Sequence, residues 1–192
     1  MKFKFCLPLF AVVAVSSSTQ AQNIRFEEYI LDNGLHVILH EDHSTPITAV
    51  TVMYHVGSKN ETAGRSGMAH FFEHLLFEGS ENIGRGQYSK FVENAGGALN
   101  ANTSQDRTFY YELLPSNQLE LGLWLESERM LHAKVEMVGI ETQREVVKEE
   151  KRQRVDNQPY GTLFQETLDH AFDVHPYSWA PIGSMEDLNA AK

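Results

Sequence analysis

The chain reads Ser66-Gly67-Met68-Ala69-His70-Phe71-Phe72-Glu73-His74-Leu75-Leu76-Phe77 at the point that decides its fold. Apolar residues recur four positions apart in this stretch, which predicts a largely buried helix from Ser66 to Glu78. Ser66 is a candidate N-cap, and Gly79 is a candidate stop signal. Polar side chains on such a helix need partners inside the protein, because burying an unpaired polar group is costly.

Two histidines on this helix are spaced to bind one metal ion. His70 and His74 lie four residues apart, so their imidazoles occupy the same helix face. Glu73 precedes the second histidine and lies close to that face, within reach of water near the metal. Two neutral nitrogen ligands and a nearby carboxylate are what zinc-assisted peptide hydrolysis requires. A chance match is the competing explanation, because the chain contains nine histidines.

A third ligand is expected, since catalytic zinc sites usually have three protein ligands. The stretch 141–152 is rich in good helix formers and acidic residues. Glu150 lies three and four positions after Val147 and Val146, on the apolar face of that helix. Glu149 is nearer the solvent face and remains the alternative. For the rest of this charged run, a solvated helix face is the simpler interpretation.

These residues resemble the pitrilysin/insulinase family of zinc peptidases, which carry the inverted zincin motif H-x-x-E-H. Glu150 follows His74 by 76 positions, as in the family, and lies in a segment similar to R-x-V-x-x-x-E. The resemblance extends over residues 24–192. It includes the stretches Leu31-Asp32-Asn33-Gly34-Leu35, Val56-Gly57-Ser58, Gly96-Gly97-Ala98-Leu99-Asn100-Ala101, and Pro176-Tyr177 through Ile182-Gly183.

The resemblance implies a role for each matching residue. His70, His74 and Glu150 are expected to bind one zinc ion, with Glu73 as the general base of a metalloendopeptidase. Many members carry a glutamate where this chain has Gln143, a position that supports the site. An amide keeps the hydrogen bonding but loses a charge, so we expect an effect on how the ligands are oriented.

The strand after Gly97 is a candidate substrate-binding edge. Asn100 and Ala101 are the residues expected to contact an extended peptide, which would add to the sheet as a further strand. Small Ala98 and Ala101 would allow the peptide to approach. An ordinary internal strand is the alternative.

The first residues resemble a targeting segment. Lys2 and Lys4 precede an apolar run at 5–15 that is too short to span a bilayer, and residues 19–21 provide a small-x-Ala cleavage site. We therefore expect residues 1–21 to be a signal peptide and the protein to be periplasmic or secreted. An uncleaved membrane anchor is the alternative.

The composition of the chain indicates which classes of molecule it could bind. The formal net charge is −10, and we find no basic patch with interleaved aromatic residues, so nucleic acid is not expected to bind. The only cysteine, Cys6, lies in the predicted signal peptide, which leaves no disulfide after cleavage. Peptide or unfolded-protein substrates are expected, with no membrane association once the signal is removed.

The order of predicted elements indicates an α+β fold, with a largely antiparallel sheet packed against helices. Strands are predicted at 35–40, 47–56, 98–103 and 107–114. A long helix capped by Ser116 should turn Leu119, Leu123 and Met130 toward the core, and a further helix should follow Ser184.

By resemblance, residues 22–192 form the first, incomplete domain of a peptidase chamber. The missing C-terminal half, or a homologous partner subunit, should complete the site, so the chain alone is expected to be inactive. The main alternative is a non-catalytic partner or scaffold subunit. A second alternative is a structural metal site, in which His36, His40, His43 or His55 would be the fourth ligand.

Overall fold

The computed structural model describes residues 24–191, so the predicted signal peptide lies outside the described residues. The chain divides after Thr45 into two compact units. The first contains an antiparallel hairpin of β1 (Glu27–Ile30) and β2 (His36–Leu39). Gly34 turns the chain with a φ of 87°, in the left-handed region that favours glycine.

The second unit contains a three-stranded antiparallel sheet. Its strands are β3 (Ile47–Tyr54), β4 (Ala98–Thr103) and β5 (Thr108–Pro115), in the order β3-β5-β4. β5 is therefore the central strand, and its alternating buried residues follow the two-residue period of a strand with one face against the core.

Six helices complete the described chain. They are α1 (Met68–Leu75), α2 (Tyr88–Asn94), α3 (Leu119–His132), α4 (Met137–Lys151), α5 (Leu163–Ala171) and α6 (Met185–Ala190). A π-helical turn at Arg152–Asp156 continues α4. Ser184 caps α6 by accepting a hydrogen bond from the Asp187 amide, as a helix start there requires. Between residues 24 and 191, no helix is long and apolar enough to cross a membrane.

The strand and helix order confirms the predicted α+β fold with an antiparallel sheet. Two clusters of buried apolar residues hold these elements together. One joins α2, β5 and α3 through Ile83, Tyr88, Val92, Leu114 and Leu125, and the other joins α1, α4 and α6 through Phe71, Leu75, Val147 and Leu188. The second cluster brings the motif helix against the helix that contains Glu150.

The predicted start of α1 at Ser66 is wrong. The helix begins at Met68, and Gly67, with a φ of 85°, occupies the N-cap position. No side chain of the N-cap residue accepts a hydrogen bond from the helix. Instead, the Glu61 carboxylate accepts hydrogen bonds from the amides of Gly67 (3.0 Å) and Ala69 (2.8 Å). The Ser66 hydroxyl instead donates a 2.6 Å hydrogen bond to the Asp187 carboxylate of α6. A carboxylate six residues before Gly67 thus performs the capping that was expected of Ser66.

The predicted orientation of α3 is also wrong. Leu119, Leu123 and Met130 are 44%, 55% and 39% exposed, whereas Leu125 is fully buried. Apolar periodicity failed here because the inward face carries Glu126 and Arg129, two charged residues that pair with each other. The expectation for α1 needs a similar correction, since Phe72 is 50% exposed.

Arg129 is buried among three aromatic rings near the C-terminal end of α1. Its guanidinium stacks 4.5, 4.3 and 4.1 Å from the ring centres of Phe77, Tyr88 and Tyr110. Nη2 lies 3.1 Å from Glu126, and Nη1 donates a 3.0 Å hydrogen bond to the Leu76 carbonyl at the end of α1. Arg129 therefore joins α3 to the last turn of the motif helix.

Glu112 completes this buried cluster. Its carboxyl lies 3.4 Å from Arg129, and neither side chain is exposed. Burial, together with the neighbouring Glu126, raises the pKa of Glu112 well above its ordinary value. Of the two carboxyl groups, Glu126 lies closer to the guanidinium, so Arg129–Glu126 is the principal pair.

Replacing Arg129 is expected to be strongly destabilising. Arg129→Met should lower the free energy of unfolding by about 3–5 kcal/mol, because Glu126 would remain buried without its counter-charge. Chemical denaturation would measure the loss. Arg152→Met is the matched control, since Arg152 is 44% exposed in its pair with Glu149 and should contribute at most about 1 kcal/mol. Equal losses in both variants would contradict the assigned role of Arg129.

Candidate metal centre

Three side chains converge between α1 and α4. His70 Nε2 and His74 Nε2 lie 3.3 Å apart. Glu150 Oε2 lies 3.2 Å from His74 Nε2 and 3.6 Å from His70 Nε2. All three atoms lie within 4.8 Å of one another. The helical spacing positions the histidines, and the packing of α4 on α1 brings in the glutamate.

The charge states of these groups depend on each other. Burial, helped by the nearby His74, lowers the pKa of His70 to about 4, so this imidazole is neutral at physiological pH. The hydrogen bond from His74 lowers the pKa of Glu150 and keeps it ionised. Burial opposes protonation of His74, but the interaction with Glu150 outweighs it and raises the pKa of His74.

The donor set fits a divalent cation. Two imidazole nitrogens and a carboxylate oxygen lie close together in one small space, so their lone pairs would repel one another unless a proton or a cation lay between them. A proton on His74 relieves one of these contacts, whereas a metal ion would satisfy all three. Nitrogen and carboxylate ligands in this number suit zinc, with one position left for water.

The two candidate glutamates of α4 lie in different surroundings. Glu149 faces solvent, where it binds Arg152 at 3.1 Å and Gln153 at 3.0 Å. Glu150 faces the histidines with Oε2 and binds Arg154 at 2.8 Å with Oε1. Glu149 is therefore not part of the cluster, and Arg154 leaves Glu150 a single oxygen for a metal.

Glu73 is buried beside the cluster, and Thr103 holds its carboxylate. The Thr103 hydroxyl donates a 2.5 Å hydrogen bond to Glu73 Oε2. Burial raises the pKa of Glu73, while this hydrogen bond works in the opposite direction. Thr103 was not among the site residues predicted from the sequence. The only available signal was its position three residues after Asn100, at the end of the candidate edge strand.

Asn100 and Ala101 lie on β4, at one edge of the three-stranded sheet. The Asn100 side chain accepts a 2.9 Å hydrogen bond from the Ala101 amide, in an exposed contact. That amide therefore faces away from β5, toward the side where a further strand would pair. Thr103, the last residue of β4, donates a hydrogen bond to Glu73. One end of β4 therefore lies next to the cluster.

Two cavities open beside α1. The larger, about 810 Å³, is mainly apolar and includes Glu73 and Phe72 but neither His70 nor Glu150. The smaller, about 260 Å³, is lined by His70, Thr103, Glu150 and Arg154. Its remaining walls are mostly apolar, with Val155, Phe164, Ala180, Pro181 and Ile182. The smaller cavity is the one that meets the cluster.

Gln143 supports His74 from the side opposite Glu150. Its Oε1 lies 3.2 Å from His74 Nδ1, so the amide binds the ring nitrogen that does not face the cluster. Three of the histidines proposed as a fourth ligand have other partners within the hairpin unit. His36 binds Glu28, His40 binds the Arg25 carbonyl, and His43 binds Glu41.

An α+β domain in which two histidines, a distant glutamate and a buried neighbouring glutamate converge is typical of zinc metallopeptidases. The sequence profile of the insulinase family, peptidase family M16, matches residues 36–180. The chain belongs to this family, which confirms the resemblance found in the sequence.

Individual relatives agree with the family. A protein named zinc protease PqqE from Helicobacter pylori is 38% identical over 180 residues, which cover 92% of this chain and 40% of the relative. The crystal structure of a protease from Helicobacter pylori superposes with a TM-score of 0.85 at 38% identity, covering 88% of this chain and 41% of that one. The crystal structure of the periplasmic protease PqqL from Escherichia coli superposes with a TM-score of 0.80 at 25% identity. The match covers 90% of this chain and 20% of that one. This chain therefore spans about two fifths of the length of its Helicobacter pylori relative.

Proposed function

We propose that this protein is a zinc-dependent metalloendopeptidase. The observation that carries the proposal is the convergence of His70, His74 and Glu150 within 4.8 Å, next to the buried carboxylate of Glu73. The three converging residues would hold one zinc ion. A zinc ion there would supply Lewis acidity toward the scissile carbonyl and make water more acidic.

Glu73 is the proposed general base. Its carboxylate takes a proton from the attacking water and later transfers it to the nitrogen of the leaving amine, so the base is regenerated. Burial brings the pKa of Glu73 toward the working range of such a base. The Thr103 hydrogen bond fixes one carboxylate oxygen and leaves the other available for the proton.

The substrate is an extended peptide or unfolded protein segment. It would pair with the open edge of β4 near Asn100 and Ala101, with main-chain hydrogen bonds providing affinity. The smaller cavity lies at the end of that path and would receive a side chain next to the scissile bond. Its apolar walls favour an apolar side chain.

Residues 22–192 would act as the first domain of a larger assembly. The chain covers 40% of its Helicobacter pylori relative, which supports a further C-terminal half or a partner subunit that completes the substrate site. Alone, the 192-residue chain would bind zinc without hydrolysing peptides. Export to the periplasm or outside is supported by the signal-like first 21 residues and by the PqqL structure, which is described as a periplasmic protease.

Metal content and peptide cleavage together test the proposal. We expect one zinc ion per chain in the 192-residue protein, and chelator-sensitive cleavage of an unstructured peptide library by a longer parent chain. Cleavage at internal bonds would support an endopeptidase. Absence of bound zinc in both forms would contradict the proposal.

Thr103→Val is expected to reduce the turnover number roughly tenfold while zinc affinity stays unchanged, because it releases the general base but no metal ligand. Thr103→Ser is the matched control, since it keeps the hydroxyl and should retain most of the activity. Steady-state kinetics and zinc titration would be measured in parallel on the active longer parent chain. A loss of zinc equal to the loss of activity would contradict a role confined to Glu73.

A further inference from the structure

The Gln143 amide connects the metal cluster to a second carboxylate, Glu78. Gln143 Nε2 donates a 2.5 Å hydrogen bond to Glu78 Oε1, while Gln143 Oε1 lies 3.2 Å from His74 Nδ1. Arg85 donates to the other oxygen of Glu78. Both Glu78 oxygens therefore have a donor, and the contacts run in series from Arg85 to His74.

The ionised carboxylate gives this series a direction. An ionised glutamate can only accept hydrogen bonds, so Gln143 must turn its NH₂ group toward Glu78 and its oxygen toward His74. An amide oxygen also only accepts, so His74 Nδ1 must carry the hydrogen. With this hydrogen kept on Nδ1, the proton that His74 gives up on metal binding is the one on Nε2, the nitrogen that faces His70 and Glu150, and its lone pair becomes available to the metal.

Glu78 is largely buried, and the missing side chain of Gly139 leaves room for it. Its side chain is 11% exposed, and it lies against Gly139, one turn before Gln143 on α4. A Cβ atom at residue 139 would lie 3.2 Å from both Glu78 Cγ and Oε2. Partial burial works against ionisation, but the hydrogen bonds from Arg85 and Gln143 outweigh it and lower the pKa of Glu78.

We propose that Glu78 is a positioning residue of the metal centre, which acts through Gln143 to select the His74 tautomer that binds zinc. This inference rests on the proposed zinc site. A glutamate at 143 would place two carboxylates against each other, so Gln143 and Glu78 form a matched pair in this chain.

A double-mutant cycle tests the pairing. Glu78→Gln should weaken zinc binding about tenfold, because a neutral amide at 78 allows both orientations of Gln143. Gln143→Glu should also weaken it about tenfold, through repulsion from Glu78. The exchange variant Glu78→Gln/Gln143→Glu restores one carboxylate and one amide, and should recover most of the affinity. Chelator competition would give the zinc dissociation constants.

The spectroscopic readout is the His74 Nδ1–H signal of the zinc-loaded protein in ¹H–¹⁵N NMR. We expect it to exchange slowly with solvent in the unchanged protein and in the exchange variant, and faster in Glu78→Gln. Glu81→Gln is the matched control three residues away, since Glu81 is 65% exposed and should change neither readout.

Unchanged zinc affinity in both single variants would overturn the proposal. The proposal would also be overturned if the exchange variant lost zinc affinity by the sum of the two single losses. The effects of independent sites add in this way, whereas those of coupled sites do not. Failure of the unchanged protein to bind zinc would overturn the proposed function, and this inference with it. Thermal melting of the metal-free variants separates a loss of fold from a loss of positioning.

Discussion

Glu73→Gln should bind zinc as tightly as the unchanged protein and lose peptide hydrolysis by about 10²–10⁴-fold. The amide keeps the size of the side chain, and it can still accept the Thr103 hydrogen bond. It cannot take a proton from water at neutral pH, so the step assigned to the general base is lost. Glu73 is not part of the converging donor set, which explains the expected separation of binding from turnover.

The measurement is a peptide-cleavage assay paired with zinc titration, on the 192-residue chain and on any longer parent chain that is active. Glu81→Gln serves as the control for the loss of one carboxylate, since its side chain is 65% exposed. Substantial residual hydrolysis by Glu73→Gln would assign the base to another residue. A parallel loss of zinc would mean that Glu73 supports the metal rather than the proton transfer.

Glu150→Gln should weaken zinc binding by more than about 100-fold, which exceeds the usual cost of losing a residue that only supports a ligand. The carboxylate oxygen 3.2 Å from His74 would be replaced by a neutral amide group. The two imidazoles would remain, but they would have no negative charge to offset that of the cation.

Glu149→Gln is the matched control on the same helix. Glu149 binds Arg152 and Gln153 at the surface, so its replacement should leave the zinc content unchanged. Metal analysis after dialysis against a weak chelator would compare the two variants. The opposite ranking would move the third ligand to Glu149 and would require a different rotation of α4.

The local parts of the site could be predicted from sequence. His70, Glu73 and His74 lie within one helix turn or so, where helical geometry alone decides which side chains share a face. The strand edge with Asn100 and Ala101 was also predictable as a strand, because its turn signals and alternation are local. Strand and helix order was sufficient to predict the α+β class, and the family comparison supports the resemblance.

The errors arose where charged residues are paired inside the protein. Leu119, Leu123 and Met130 of α3 were expected to face the core, because apolar residues usually mark the inward face of a helix. That face instead carries Arg129 and Glu126, whose burial is possible because they satisfy each other and because aromatic rings surround the guanidinium. Pairing of this kind leaves no periodic signal.

The start of α1 shows the same limit at a helix end. Ser66 matched the local preference for an N-cap, but Glu61 accepts the amide hydrogen bonds. Any carboxylate brought to the helix start can do this, and sequence distance does not reveal which one arrives. Thr103 and Glu78 were missed for a similar reason, since each acts on a residue far away in the chain.

By itself, the sequence determined the histidine pair, the neighbouring carboxylate and the order of strands and helices, because these depend on spacings within a few residues. Only the tertiary structure decided that Glu150 meets the histidines while Glu149 faces solvent, and that Glu78 reaches His74 through Gln143. Both outcomes depend on the rotation and distance of α4 relative to α1. These are set by the packing of Phe71, Leu75, Val147 and Leu188, which no local spacing encodes.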